Sequence, residues 1–278
     1  MLPLIDWSAS QRRGITGVFT DIDDTLTTHG AISAVALQAL ADLRAAGLTV
    51  IPITGRPIGW CERFMTGSGE QLPWPVDTMV AENGAVAWIK NSGQPPSNRP
   101  GVLSKLYQQD VTTRSANADA MEVVAAQVLR EVPQARRTDD AGGRETDLAF
   151  DYAEHHRMTP DGVAQVLAVL ERAGMRTTVS SIHIHGCFGD FNKWQGAQWI
   201  VRTRHGRELA QELDRWVFVG DSGNDQVMFQ HFRHSVGVAN ICDCAARLTH
   251  LPTYVTPSER GAGFAEVARA ILAARITA

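Results

Sequence analysis

The chain has 278 residues, enough to bury a core and to form one large domain or two smaller ones. Its formal net charge of −4 gives no basic field of the kind that nucleic-acid-binding proteins use. The N-terminus lacks a long apolar segment behind a basic start, and no apolar run of about 18 residues occurs, so we expect neither a signal peptide nor a membrane-spanning helix. The four scattered cysteines predict reduced thiols in a cytoplasmic protein.

The first part of the chain alternates between strands and helices. The segment "GITGVFTD" predicts a strand that ends at Asp21, and "LTVIPITG" predicts a second one. Between them, Ser33 is a plausible N-cap for a helix that Gly47 ends. A helix from Pro57 to about Met65 leads to a third strand, "VDTMVAENGA". Strand and helix in alternation indicate a parallel sheet with right-handed crossovers.

The same alternation returns near the C-terminus, whereas the middle of the chain has a different pattern. The late elements are the strands "RWVFVGD", "SVGVAN" and "TYV" and the helices "GNDQVMFQHF" and "GFAEVARAILAARI". In the middle, the loop "NSGQPPSNRPG" precedes helices at 118–132 and 160–173 and the alternating strands "TDLAFDYA", "MRTTVSS" and "IHIHG". We therefore predict an α/β fold: a Rossmann-like parallel core (1–86 and 187–278) with an inserted, smaller α+β cap domain (87–186).

Polar groups follow several of the predicted core strands. Asp21 ends the first strand, Asp23 and Asp24 follow in the next turn, Thr54 ends the second strand, and Asp221 ends the strand "RWVFVGD". In an open parallel sheet, ligands bind at the carboxyl ends of the strands. Carboxylates clustered there repel one another and favour a cation, and Mg²⁺ prefers oxygen ligands while keeping some of its water. The sequence therefore predicts a Mg²⁺ site at this edge.

The order of four short motifs is more specific than any one of them. A D-x-D pair alone is common in capped or solvated turns, but here D-x-D-x-T, T-G-R, an isolated lysine in "GDFNKWQG" and G-D-x-x-N-D follow in sequence. This combination resembles the haloacid dehalogenase-like superfamily of phosphohydrolases. The matching residues are Asp21 and Asp23, Thr54, Lys193, and Asp221 with Asp225.

The spacing of the motifs resembles one branch of that superfamily. The short stretch between Asp21 and Thr54 has no room for an inserted domain, whereas the long stretch from Thr54 to Lys193 does. An α+β cap in that position is similar to the branch that contains sucrose-phosphate phosphatase, mannosyl-3-phosphoglycerate phosphatase, the Cof-like sugar phosphatases and phosphomannomutase. The segments "AENGA" and "GDSGND" also resemble that branch.

The resemblance implies roles for the acidic residues. Asp21 would attack phosphorus and form an aspartyl-phosphate, and Mg²⁺ would be bound by Asp21, the backbone carbonyl of Asp23, and Asp221. Asp23 would protonate the leaving alcohol and then activate water, and its presence favours phosphoryl chemistry over dehalogenation. Asp24 departs from the branch, which usually has glycine there, and is expected to add charge near the metal.

The resemblance also implies a set of phosphate-binding groups. Thr54 and the backbone amides near Gly55 would bond the phosphoryl oxygens, and Lys193 would balance their charge. Asn224 and Asp225 would orient Asp221 or Lys193 from behind.

Two histidines in the predicted cap leave several interpretations open. In "SSIHIHG", Ser181, His183 and His185 share one face of a strand. They could be zinc ligands, although no third ligand is near in sequence, or polar groups on a sheet face. They could also contact substrate, since the strand leads towards the segment that holds Lys193.

Several arginines are similarly ambiguous. Arg56 of the T-G-R motif could pair with a carboxylate of the core or reach the cleft. Arg136, Arg137 and Arg144 could meet an anionic substrate, but isolated arginines usually lie in solvent.

The predicted function is a Mg²⁺-dependent phosphatase that acts on a small phosphorylated metabolite, with a sugar phosphate as the favoured class. One alternative is a phosphomannomutase-like phosphosugar mutase, which must keep water away from the aspartyl-phosphate. Another is a non-catalytic sensor of a phosphorylated ligand. The presence of all four motifs disfavours this alternative. We expect no nucleic-acid or membrane partner, and the sequence does not predict an oligomeric state.

Overall fold

The computed structural model describes residues 1–28, 30–69, 72–91 and 102–276. In this part of the chain the strands are β1 Leu2–Pro3, β2 Gly17–Thr20, β3 Thr27–Thr28, β4 Ala31–Ile32, β5 Thr49–Pro52, β6 Thr78–Ala81, β7 Val86–Asn91, β8 Val102–Tyr107, β9 Leu148–Asp151, β10 Arg176–Val179, β11 His183–Cys187, β12 Trp216–Gly220, β13 His234–Gly237 and β14 Tyr254–Val255. The α-helices are α1 Ala9–Arg13, α2 Ala34–Ala45, α3 Ile58–Thr66, α4 Val111–Glu131, α5 Pro160–Arg172, α6 Lys193–His205, α7 Gln226–His231 and α8 Arg260–Ile276.

The core is a six-stranded parallel sheet in the order β1–β14–β13–β12–β2–β5. Its central strands, β2 and β12, are buried along their whole length, as expected for a parallel sheet covered on both faces. Phe19 of β2 lies opposite Phe218 of β12 and Ile51 of β5 in the register. The predicted α/β fold class is confirmed.

Helices cover both faces of this sheet. Leu40 of α2, Ile58 of α3 and Phe264 of α8 belong to the apolar cluster on one face. Helices α6 and α7 pack on the other, where Phe19 and Trp216 lie. The N-cap of α2 is the one predicted, because the Ser33 hydroxyl accepts a hydrogen bond from the backbone N–H of Ala36 at 3.3 Å.

The sequence analysis did not predict helix α6 and treated Lys193 as an isolated lysine in "GDFNKWQG". Lys193 is instead its first residue, after Asn192, whose side chain accepts a hydrogen bond from the N–H of Gln195 at 2.9 Å. The backbones of Gly196 on α6 and Gly84 are in close contact, since a Cβ on Gly196 would lie 2.4 Å from the Gly84 Cα. This contact fixes the start of α6 against the core.

The segment predicted as an inserted domain, 87–186, has two parts. β7 pairs antiparallel with β6 and β8 pairs antiparallel with β7, while Ile53, just after β5, bridges to Val80 of β6, so these strands extend the core. The later elements form a separate antiparallel sheet, β10–β11–β9, with an apolar cluster shared by α4 and α5. We propose that the cap begins after β8. Most of the predicted loop "NSGQPPSNRPG" lies outside the described residues.

Helix α4 begins before its predicted start at residue 118. The side chain of Asp110 caps it by accepting a hydrogen bond from the backbone N–H of Thr113 at 2.9 Å.

No helix within the described residues is sufficiently long and apolar to cross a membrane. All four cysteines are free thiols.

The cap is joined to the core by a buried carboxylate. Glu82, in the turn after β6, accepts hydrogen bonds from the N–H of Ile58 at 3.0 Å and of Thr146 at 2.6 Å. It also accepts from the N–H of Glu145 and from the hydroxyl of Thr146. A single side chain thus satisfies donors at the start of α3 and in the cap segment that precedes β9, which holds the cap in a defined position.

Candidate active site

The edge of the sheet brings together three aspartates and a lysine from separate parts of the sequence. Asp21 follows β2 and Asp221 follows the adjacent strand β12; the N–H of Asp21 donates to Val219 O at 2.9 Å. Lys193, at the start of α6, donates from Nζ to Asp21 Oδ1 at 2.6 Å and to Asp225 Oδ1 at 2.7 Å. These four side chains are buried. The predicted convergence at the carboxyl ends of the strands is present in the structure.

The electrostatics of this cluster favour a cation. Carboxylate oxygens of Asp21, Asp221 and Asp225 lie within 4.8 Å of one another. Burial, followed by the like charges of Asp21 and Asp225, raises the pKa of Asp221 well above its usual value. Burial opposes the charge on Lys193, but Asp21 and Asp225 hold its pKa above the usual value, so the lysine remains charged. One ammonium does not neutralise three carboxylates, and their oxygens are the ligand type that Mg²⁺ prefers.

Neighbouring groups distinguish the roles of the carboxylates. Both carboxylate oxygens of Asp225 are occupied by hydrogen bonds within the protein. Its Oδ2 accepts from the N–H groups of Asp221 at 2.9 Å and Ser222 at 3.0 Å, and its Oδ1 accepts from Lys193. This geometry fits the predicted orienting role. Asp221 is held by the Thr25 hydroxyl at 3.0 Å on Oδ1 and by the Asn240 amide at 3.1 Å on Oδ2. Asp21 and Asp221 are therefore the residues of the cluster that fit a metal.

Asn240 and Asn83 are two site residues that the sequence analysis missed. Asn240 follows β13 and lies at the same edge of the sheet as Asp221. Because it comes soon after an apolar strand, the sequence could have indicated this position. Asn83 donates its backbone N–H to Thr54 O at 2.9 Å, and its Oδ1 accepts from the amide of Asn224 at 3.0 Å. Asn224 was expected to orient Asp221 or Lys193, but its amide is bonded to the turn after β6.

The T-G-R segment lies at the carboxyl end of β5, the strand next to β2. Thr54 is buried just beyond β5, and its hydroxyl accepts a hydrogen bond from the N–H of Arg56 at 3.0 Å. The carbonyl of Gly55 accepts from Arg144 Nη1 at 3.0 Å. The side chain of Arg144 is 2% exposed and also binds Asp147 at 2.8 Å, so the expectation that it lies in solvent is wrong. It lies at the contact between cap and core.

Arg56 pairs with a carboxylate of the core, as one of its two interpretations predicted, and it also pairs with the cap. Its guanidinium contacts Asp23 of the core, with the shortest N–O distance at 2.9 Å, and reaches Glu154 of the cap at 2.6 Å.

Asp24, which stands where the resembling branch usually has glycine, has a left-handed φ of 55°, a conformation that glycine adopts easily. Its carboxylate binds Arg260 Nε at 3.0 Å, so its charge is paired.

The two cap histidines are buried in different surroundings. His183 Nε2 lies 2.8 Å from Glu154, and His185 Nδ1 lies 3.1 Å from Asp147. His185 Nε2 is buried without a hydrogen-bond partner among the described residues, and a Cβ on Gly55 would lie 2.9 Å from it. Burial, together with Arg144, lowers the pKa of His185 well below its usual value, so the ring is neutral. Among the described residues, the group of side chains that could hold a metal ion is Asp21, Asp221 and Asp225, and neither histidine belongs to it.

A family comparison agrees with this arrangement. Residues 18–104 match the family model of haloacid dehalogenase-like hydrolases, a stretch that contains Asp21, Asp23 and Thr54. This stretch of the chain is similar to haloacid dehalogenase-like hydrolases, so the predicted resemblance is confirmed. No match was found among curated proteins.

Solved structures share the fold of this chain over nearly its whole length. A Thermoplasma acidophilum protein is 19% identical with a TM-score of 0.66, covering 93% of this chain and 98% of that one. The sucrose-phosphatase of Synechocystis, solved with sucrose and phosphate, is 17% identical with a TM-score of 0.63, covering 93% and 98%. A Plasmodium vivax protein named as HAD/COF-like is 17% identical with a TM-score of 0.66, covering 96% and 99%. The likeness extends over the inserted cap.

Proposed function

We propose that the protein is a Mg²⁺-dependent phosphatase that hydrolyses a small phosphorylated metabolite through an aspartyl-phosphate on Asp21, with sugar phosphates as the favoured class. The observation that carries the proposal is the buried contact of 2.6 Å between Lys193 Nζ and Asp21 Oδ1, beside Asp221 at the carboxyl edge of the sheet. A carboxylate and an ammonium held together there give a nucleophile and a binding group for the oxygens of one phosphoryl group.

The proposed roles follow from the positions of the side chains. Asp21 forms the new bond to phosphorus while the bond to the leaving oxygen breaks, and Asp23 supplies the proton that this oxygen needs. Lys193, the Thr54 hydroxyl and the backbone N–H near Gly55 bind the phosphoryl oxygens. Asp21, Asp221 and the backbone carbonyl of Asp23 would hold Mg²⁺, which when bound supplies positive charge that lessens the repulsion between carboxylate and phosphate.

The preference for a sugar phosphate has two supports. One structural neighbour is named a sucrose-phosphatase. In addition, the neutral ring of His185 donates from Nδ1 to Asp147, so Nε2 remains a hydrogen-bond acceptor suited to a substrate hydroxyl beside Gly55. A cytoplasmic location remains a prediction from the cysteine pattern.

A panel of phosphorylated sugars and glycerates tests the proposal. We expect at least one ester to give steady release of inorganic phosphate with Mg²⁺ present, loss of release with a chelator, and recovery when Mg²⁺ is restored. Conversion of one phosphosugar into an isomer without accumulation of phosphate would instead support a mutase. Absence of both reactions over the whole panel would contradict the proposed enzyme.

Replacing His185 by alanine tests the contribution of the cap. We expect kcat/KM for the best sugar phosphate to fall about tenfold, the effect of one lost hydrogen bond of about 1.4 kcal/mol, with little change for acetyl phosphate. His156→Ala is the control, because that histidine bonds Gln134 O within the cap. Equal losses on both substrates would place His185 in folding or in the core chemistry.

A further inference from the structure

Arg56 is bonded to the proposed general acid through both oxygens of its carboxylate. Arg56 Nε lies 3.0 Å from Asp23 Oδ2 and 3.2 Å from Oδ1, and Nη2 lies 2.9 Å from Oδ1. The Arg56 side chain is only 6% exposed, and that of Asp23 is 14% exposed. Two parallel N–H···O contacts define the plane of a carboxylate as well as its position.

The same guanidinium is bonded to the cap. Arg56 Nη2 donates to Glu154 Oε1 at 2.6 Å, and Nη1 donates to Glu154 Oε2 and to Asp140 Oδ2, both at 3.1 Å. Glu154 is in turn fixed by His183 Nε2 at 2.8 Å. Burial opposes the charge on Glu154, but His183 and Arg56 lower its pKa to about 2, so it is a carboxylate at neutral pH.

The geometry makes this contact a mechanical connection between cap and core. Arg56 Nη2 uses one hydrogen for Asp23 and the other for Glu154, and the guanidinium group is a rigid plane. A shift of Glu154 therefore rotates or displaces the group that holds Asp23. Asp140 also contacts this guanidinium, but through Nη1, whereas Glu154 shares Nη2 with Asp23.

We propose that Glu154 is a positioning residue: through Arg56 it orients the carboxyl group of Asp23, so that proton donation to the leaving oxygen depends on the docked cap. This inference rests on the proposed function and adds to it a coupling between cap docking and acid catalysis. Asp23 gives up its carboxyl proton to the ester oxygen as the bond from phosphorus to that oxygen breaks. An alkoxide needs this proton in the transition state, whereas a nitrophenolate leaves without it.

The test uses Glu154→Gln in the full-length protein with two esters: p-nitrophenyl phosphate and the alkyl phosphate that the panel identifies. The amide keeps the size of the side chain but replaces one acceptor oxygen by a donor. In single-turnover measurements of the first step, we expect release of the alcohol from the alkyl ester to slow about ten- to a hundredfold, part of the full contribution of a general acid. For release of nitrophenolate from p-nitrophenyl phosphate in the same measurement we expect a change of less than about threefold.

Glu145→Gln is the matched control. Glu145 is a cap carboxylate of similar exposure, paired with Lys105 at 2.5 Å and Tyr107 at 2.6 Å. It should alter both esters by the same small factor. A double-mutant cycle separates positioning from folding, because Glu154→Gln should cause no further loss for the alkyl ester when Asp23 is already alanine.

The outcomes separate this inference from the function on which it rests. Equal losses on the two esters, independent losses in the double variant, or faster release of the alcohol from the alkyl ester would overturn the role of Glu154 and leave the phosphatase intact. A wild-type protein that releases phosphate from neither ester would instead overturn the proposed function.

Discussion

Asp21→Asn is expected to lower phosphate release by more than about a thousandfold while the fold stays intact. An amide is a far poorer nucleophile than a carboxylate, and a weaker metal ligand. Its Oδ1 can still accept the hydrogen bond from Lys193 Nζ, which spans 2.6 Å in the wild type. The measurement is kcat on the best ester with Mg²⁺ present, after mass spectrometry has excluded deamidation.

The same variant should keep or increase stability in the absence of metal. Asp21 is buried beside Asp221 and Asp225, and burial raises its pKa although Lys193 opposes the shift. Removing one of three crowded negative charges relieves that repulsion. Urea unfolding with a chelator present measures the change in the free energy of unfolding. A clear loss of stability would show that the pair with Lys193 outweighs the repulsion.

Asp24→Asn is the matched control for Asp21→Asn. Asp24 belongs to the same acidic run, but its carboxylate is paired with Arg260, and asparagine tolerates its φ of 55°. This variant should retain most of the wild-type turnover. If Asp21→Asn kept more than a few per cent of turnover, or if both variants lost activity equally, Asp21 would not be the nucleophile.

The part of the site that the sequence predicted lies at strand ends. A parallel sheet brings the carboxyl ends of its strands to one edge, so Asp21, Thr54 and Asp221 converge whatever the rest of the chain does. Lys193 was predicted to join them only through the resemblance. The helix that begins there was missed because α6 has several polar residues and two tryptophans in place of a clear apolar stripe.

The contacts between cap and core could not be predicted from sequence. Arg56, Arg144 and Glu154 meet because the cap docks in one orientation, and no periodicity encodes that orientation. Glu82 and Asn83 lie in a turn with left-handed φ values of 50° and 52°, which few sequence patterns reveal. The positions of these residues depend on long-range packing, whereas strands and helix N-caps follow from local sequence patterns.

Lys193→Met should destabilise the protein more than the loss of an ordinary surface ion pair. Lys193 is fully buried, and its Nζ lies 2.6 Å from Asp21 and 2.7 Å from Asp225. Removing one partner of a buried pair leaves an uncompensated charge, which costs about 3–5 kcal/mol. Methionine fills most of the volume, so a cavity contributes little. Urea unfolding at neutral pH with a chelator measures this loss.

Lys105→Met is the matched control, because Lys105 is partly exposed and its Nζ pairs with Glu145 at 2.5 Å. Its loss should cost less than about 1 kcal/mol. Lys193→Met should also lower kcat/KM on both alkyl and aryl phosphates, because charge on the phosphoryl oxygens is common to the two reactions. Should Lys193→Met cost no more stability than the control, the three carboxylates would have to be protonated or solvated in the metal-free protein. A loss confined to alkyl esters would instead assign Lys193 to the leaving group and remove it from the phosphoryl oxygens.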